Sequence, residues 1–273
     1  MPMAALDEAE IARYQRHIVL KEIGGGGQQK LKAARVLIIG LGGLGHPVAQ
    51  YLTAAGVGTL GLVDDDVVTL SNLQRQILFT DAVLGQKKTQ AVADALAALN
   101  PHLSTVQHDM RVGPDNIGAL LDDYDVVVDG CDNFATRWCV NDACFAAQRP
   151  LVSGAVGRFD GQVMTFKPWL KEADGTPLPC YRSLVPEDKE NTEEAALSAQ
   201  DNCATTGIVG ALTGIIGCLM ALEVIKEITG AGDSLAGHML IYDGLAGTAR
   251  RVKLNWDPEN PNNGRHPTGT PRA

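Results

Sequence analysis

The residues best placed to do chemistry lie in a few short strings. Gly40-Leu41-Gly42-Gly43-Leu44-Gly45 comes directly after the apolar run Arg35-Val36-Leu37-Ile38-Ile39 and opens a helix of small residues. A G-x-G-x-x-G turn between strand and helix brings unpaired backbone N–H groups and a positive dipole end up to a phosphate. Asp64 stands about two dozen residues later, after Thr59-Leu60-Gly61-Leu62-Val63, where a carboxylate meets a ribose hydroxyl. These two features predict an adenine-nucleotide site and leave its chemistry open. NAD needs only the turn and the acid, whereas a triphosphate that reacts at phosphorus needs further cations and a metal carboxylate.

Candidates for those extra groups are present. Ser71-Asn72-Leu73-Gln74-Arg75-Gln76 follows the second strand and Gly85-Gln86-Lys87-Lys88 opens the next helix, so Arg75 and Lys88 can both face the crevice. In Val128-Asp129-Gly130-Cys131-Asp132-Asn133, Asp132 lies just past a strand end, where a hard oxygen ligand would suit Mg²⁺. Asp129 is its nearer rival, and Asp132 could equally cap the helix starting at Asn133.

Such groups need a scaffold that gathers strand ends. Asp7-Glu8-Ala9-Glu10 has the form of a capping box and predicts a helix to about Leu20, after which Gly24 to Gly27 breaks the pattern. Beyond the first two strands, the pattern predicts a helix near 86–99, a strand near 104–108, a helix at 114–121, a strand at 126–128, a helix at 133–148 and a strand at 151–153. Strand and helix alternating in this way predict an α/β fold: a Rossmann-like mixed sheet, parallel in its N-terminal part, with helices on both faces. Arg158 to Phe166 reads as a hairpin around Asp160-Gly161, which adds an antiparallel extension. An acidic, weakly periodic crossover loop over 169–202, expected to be flexible or functional, an apolar helix from Gly207 and strands near 239–242 and 250–254 complete one domain over 1–254. The last 19 residues, from Asn255, carry four prolines and predict a disordered tail.

Composition narrows the function classes. The chain has 273 residues, 45% hydrophobic and 20% charged, which suits a globular protein with a large core. A net charge of −9 disfavours nucleic acid as the main ligand. The most apolar stretch, Gly207 to Leu222, has 16 residues and four glycines, short of the roughly 20 that a membrane span needs. The N-terminus lacks the pattern of a secretory signal, and the six cysteines form no paired spacing, so the expectation is a cytoplasmic protein. The six histidines show no ligand spacing and are expected on surfaces or in hydrogen bonds.

Arg13-Tyr14-Gln15-Arg16-His17, the glycine turn, Asp64-Asp65-Asp66, the Ser71–Gln76 string, Gly85-Gln86-Lys87-Lys88 and Asp129–Asn133 together resemble the bacterial ubiquitin-activating-enzyme-like adenylyltransferases. The resemblance covers about residues 8–254. It implies ATP and Mg²⁺ as cofactors and, as substrate, a ubiquitin-fold sulfur carrier ending in Gly-Gly. The carrier's carboxylate would attack the α-phosphate and become an acyl-adenylate. By the same resemblance Gly40, Gly42, Gly43 and Gly45 form the nucleotide turn, Asp64 holds the ribose, Asn72, Arg75 and Lys88 hold the phosphates, and Asp132 holds Mg²⁺. Residues of about 30–155 would bind nucleotide and those of about 156–254 the carrier. Arg16 would act in trans across a homodimer, and Cys203 matches a cysteine that in relatives can bond to the carrier terminus. A carrier of the molybdopterin-synthase type ranks first, the thiamine-pathway carrier second, and a sulfur donor protein is a possible partner. An NAD-dependent oxidoreductase, a non-catalytic docking scaffold and a tRNA-modifying enzyme are the rival classes. Many relatives hold structural zinc with two Cys-x-x-Cys pairs. Here Cys180-Tyr181-Arg182-Ser183 supplies one thiol and no cysteine follows Cys218, so structural zinc is predicted absent.

Overall fold

The computed structural model describes residues 5–186 and 207–265. Helix α1 (Glu8–Ile18) starts at the expected capping box: the Glu10 N–H donates to Asp7 Oδ1 and the Asp7 N–H to Glu10 Oε2. The glycine run does not break the chain there. It begins α2 (Gly24–Ala33), because Gly27 lies against Ile23 and Thr229 so closely that a Cβ would approach the Ile23 side chain to 2.9 Å. Close approach to a neighbouring helix end offsets the backbone entropy that glycine costs a helix.

The sheet has eight strands in the order β3-β2-β1-β4-β5-β6-β7-β8. Its first five members are parallel: β1 (Arg35–Ile39), β2 (Thr59–Val63), β3 (Ser104–His108), β4 (Val126–Asp129) and β5 (Leu151–Gly157). Strands β6 (Asp160–Phe166), β7 (His238–Asp243) and β8 (Thr248–Lys253) continue it antiparallel. The mixed sheet therefore has the predicted form. The continuous apolar run of β1 is buried on both sides: Val36 and Ile38 join the core on one face, Leu37 and Ile39 the core on the other.

On the first face lie α3 (Gly45–Ala55), α4 (Lys88–Leu99) and α8 (Gly210–Thr229), whose Leu52, Leu96, Ile216 and Met220 pack on the sheet. On the second lie α5 (Ile117–Leu121), α6 (Phe134–Ala146) and the short α7 (Tyr181–Leu184), with Leu121, Trp138 and Tyr181 in that core. Among the described residues, no helix is long and apolar enough to cross a membrane.

Three local expectations change. The hairpin turn is at Arg158–Phe159, with Arg158 at φ 46°, so Asp160-Gly161 opens β6 instead of turning. Gly161 is needed there because a Cβ would come within 2.3 Å of Ile216 on α8. The cap of α6 is Asn133, whose side chain accepts the Thr136 N–H at 2.9 Å, not Asp132.

The third change is the tail, whose described residues, 255–265, are fastened to the domain. The Trp256 indole donates to Asn263, and Asn263 in turn donates to the Leu178 carbonyl at 2.9 Å and the Pro168 carbonyl at 3.2 Å. Proline-rich composition misled because side-chain amides can fasten a segment without an apolar core. Much of the expected loop is likewise fixed: Lys171 bridges Pro177, Arg182 pairs with Asp142 at 2.7 Å, and the Trp138 indole donates to the Val185 carbonyl. Residues 187–202 of that loop lie outside the described residues.

Candidate active site

The carboxyl ends of the strands open on one cleft of about 740 Å³, within the range of small-molecule and cofactor sites. Gly40, Gly42, Gly43, Asp64, Asn72, Arg75, Lys88 and Asp132 all line it. The four glycines of the turn do different work. Gly40 has φ +88° and sits where a Cβ would meet the Gly130 carbonyl at 3.1 Å, so it joins the ends of β1 and β4. A Cβ on Gly45 would be 2.1 Å from the Gly40 carbonyl, and one on Gly43 would be 2.9 Å from Thr213 of α8. Gly42 alone among the four faces open space, with nothing within 4 Å of a Cβ position. Gly45 does not line the cleft itself, and the Gly40 carbonyl leaves no room for a side chain there. The N-terminus of α3 carries no side-chain cap, which leaves its dipole for an anion.

Asp64 fastens this turn. Its Oδ2 accepts the Leu41 N–H at 2.8 Å and its Oδ1 accepts the Asp66 N–H at 2.9 Å. Each oxygen keeps a further lone pair for a ribose hydroxyl. Lys88, 5% exposed at the head of α4, donates to Asp66 at 2.7 Å and stands 3.7 Å from Asp64. The carboxylates of Asp64, Asp65 and Asp66 lie within 4.8 Å of one another. Asp64 and Asp66 balance the buried Lys88 ammonium.

Segment 70–79 supplies the other cation. Arg75 is half-buried and donates to the Ser71 carbonyl at 3.0 Å, while Asn72 Oδ1 accepts the Thr69 N–H at 3.1 Å. Of the two acids, Asp129 is buried and spent: it accepts the Cys131 N–H and the Ser153 hydroxyl, and lies 3.5 Å from Arg137. Asp132 is exposed on the cleft wall.

Sequence reasoning missed Arg137. It is 6% exposed, yet it lines the cleft from one turn inside α6. It donates to Ser153 Oγ, to the Gly154 carbonyl at 2.7 Å and to the Cys131 carbonyl. Burial opposes its charge, but Asp129 together with the neighbouring Tyr181, Cys131 and Asp132 outweighs that, so the guanidinium is held above its usual pKa. Its signal was an arginine four residues after an Asn N-cap at a strand end. Burial, followed by Asp129, pushes the neighbouring Cys131 thiol well up, so that sulfur stays protonated.

His46 is fully buried beneath the turn and meets the histidine expectation through a hydrogen bond, its Nδ1 accepting the Leu78 N–H. Arg16 is exposed on α1 and does not line the cleft. Cys203 lies outside the described residues.

The far end of the cleft is apolar, walled by Met164, Tyr181, Leu184, Ile208 and Met239. Behind it, Cys180 and Ser183 meet the tail. Asn260, 2% exposed, donates to Ser183 Oγ at 2.7 Å and to Cys180 Sγ at 3.2 Å, and Asn141 donates to the same sulfur at 3.6 Å. One thiol, one hydroxyl and amide N–H groups pointed at them do not fit a tetrahedral zinc site. Hydrogen bonds close this corner.

A twisted sheet in the order 3-2-1-4-5, a glycine turn after its first strand and cations around the strand ends define a Rossmann-like nucleotide-binding protein. Residues 14–263 match the ThiF family, and the chain belongs to it. It is 43% identical over 260 residues to a probable adenylyltransferase/sulfurtransferase, MoeZ, of Mycobacterium tuberculosis, covering 95% of this chain and 64% of that protein. The chain thus spans just under two thirds of that relative. A sulfur carrier protein adenylyltransferase of Thermus thermophilus is 42% identical over 260 residues, with 95% and 93% of the two chains covered. Among solved structures, that of E. coli MccB with ATP superposes at a TM-score of 0.75, with 23% identity over 92% of this chain and 74% of the other. That likeness concerns the fold.

Proposed function

We propose that this protein uses ATP and Mg²⁺ to adenylate the C-terminal Gly-Gly carboxylate of a ubiquitin-like sulfur-carrier protein. The observation that carries the reading is the convergence of the Gly42 turn, Asn72, Arg75, Lys88 and Asp132 on one cleft with an apolar far end. NAD chemistry would leave that set of cations and exposed acid without a shared purpose. The names of the relatives support the reaction class, and the carrier of the molybdopterin-synthase type is favoured over the thiamine-pathway carrier.

A carboxylate is already nucleophilic at neutral pH and needs no general base. Its oxygen bonds to the α-phosphorus while the bond from that phosphorus to the bridging oxygen of pyrophosphate breaks, and pyrophosphate leaves with the electron pair. Negative charge grows on the phosphate oxygens, where Lys88 and Arg75 stabilise it. Lys88, held on Asp64 and Asp66, needs only a side-chain rotation to exchange a carboxylate for a phosphate. Asp132 would hold Mg²⁺, which neutralises phosphate charge when bound; its exposed carboxylate is a hard oxygen donor suited to that ion. Asp64 fixes the ribose, and the Met110–Val112 wall packs on the base.

Arg16 of one protomer would reach its partner's cleft in a homodimer. Exposed Ile11, Val19 and Leu20 surround it on and just after α1, as an interface requires. Cys203 would receive the activated carrier or stand ready for a sulfur donor protein. The proposed setting is the cytoplasm.

The test is ATP–pyrophosphate exchange with each Gly-Gly carrier encoded alongside this chain. Exchange with one carrier is the expected result; exchange with none, together with NADH binding, overturns the reading.

A further inference from the structure

His46 is the first side chain after the glycine turn, and the chemistry above gives it no task. It sits in the first turn of α3 with no exposed surface. Its Nδ1 accepts the Leu78 N–H at 3.1 Å, and its ring meets Phe79 edge-on with centroids 4.3 Å apart. Its Nε2 makes no well-formed hydrogen bond among the described residues, although the Leu41 backbone lies close enough to favour the ring's proton slightly. Burial, and then the Lys88 charge, depress its pKa to about 3. The ring is therefore neutral, with its proton on Nε2 and its lone pair on Nδ1.

A buried polar atom without a partner costs stability, and an apolar side chain would fill the space without that cost. What an apolar side chain cannot do is accept a backbone N–H from segment 70–79. That segment is stiffened by its own bonds: the Arg75 and Gln76 N–H groups both donate to the Asn72 carbonyl, and the Phe79 N–H donates to Gln76. Holding Leu78 therefore holds Arg75. Gln74 also abuts α8 so closely that a Cβ on Gly210 would be 2.2 Å from its carbonyl.

We infer that His46 is a positioning residue. It ties the segment that carries Arg75 to the helix that carries the glycine turn, and so sets the spacing between the two parts that grip the nucleotide's phosphates. The inference rests on the adenylation reading for its purpose, but its geometry is testable without ATP.

Asparagine places Oδ1 where the imidazole has Nδ1, whereas glutamine reaches toward the Nε2 position instead. In the full-length chain, His46→Asn is expected to keep the slow hydrogen exchange of the Leu78 amide, and His46→Gln to lose about fivefold or more of that protection. The Kd for ATP with Mg²⁺, by calorimetric titration, should stay within about twofold for the asparagine variant and rise about fivefold for the glutamine variant. Equal behaviour of the two variants, or a worse asparagine variant, overturns the inference. Should the glutamine variant not fold, imidazole ¹⁵N shifts of the unsubstituted protein decide: an unprotonated Nδ1 from about pH 5 to about pH 9 supports it, a proton there refutes it. If the unsubstituted chain binds no ATP, the proposed function falls, while exchange at Leu78 still decides the anchor.

Discussion

The two halves of the sheet are held by different means. Around β1 to β4 the key contacts are backbone contacts set by glycine, as where the Gly40 carbonyl leaves no room for a Cβ on Gly45. Beyond β5 the key contacts are side-chain amides acting over long stretches of sequence: Asn260 reaches Ser183, 77 residues away, and Asn262 reaches Asp142, 120 residues away. The first kind fixes a phosphate cradle rigidly. The second seals the apolar end of the cleft while depending on no single residue type as strictly.

That contrast can be broken most sharply at Gly45. Gly45→Ala should cost about 4 kcal/mol or prevent folding, since backbone must move, whereas Gly42→Ala should fold normally and lose ATP affinity; urea melts and calorimetry read both. Arg75→Ala comes next, with ATP–pyrophosphate exchange expected to fall at least about 100-fold and the melting curve unchanged. Exchange that survives would remove Arg75 from the phosphate site. Cys203→Ala should leave exchange intact if that thiol acts after adenylation.

Acid should weaken the glycine half first. Because His46 drops from 6.5 to about 3 on folding, the unfolded chain binds a proton that the folded chain lacks across that interval. Stability attributable to this group is therefore full above about pH 6.5 and declines as pH falls toward 3, by about 2 kcal/mol at pH 5. His46→Asn should flatten that slope in urea melts taken at pH 8 and pH 5. The smallest effect is expected at the clasp: Asn260→Ala should cost about 1 kcal/mol, and a chelator should leave the melting temperature where it was. A large drop with chelator would restore a metal to that corner.

The site was legible where one residue's backbone or charge requirement is strict. The glycine turn, Asp64, Arg75 and Lys88 could be named because strand, turn and helix follow one another locally and bring them to a single crevice. That Asp129 is engaged while Asp132 stays exposed could not be read from spacing, since it depends on Arg137 and Ser153 arriving from neighbouring elements to occupy Asp129. Arg137 and His46 were hidden for the same reason: their roles follow from which carbonyls and N–H groups surround them after packing. The fastening of residues 255–265 was misjudged because composition counts apolar residues and cannot count amides that find carbonyls.

Alternating apolar runs and glycine spacing by themselves determined a mixed α/β sheet with a nucleotide cradle at the end of β1, because local periodicity and steric exclusion act within a few residues. Only the tertiary structure decided that the glycine run near residue 24 is helical, that the chain turns at Arg158–Phe159, and that the last residues close on Cys180. Each of those outcomes rests on contact between segments far apart in the chain, whose energy exists only once both are in place.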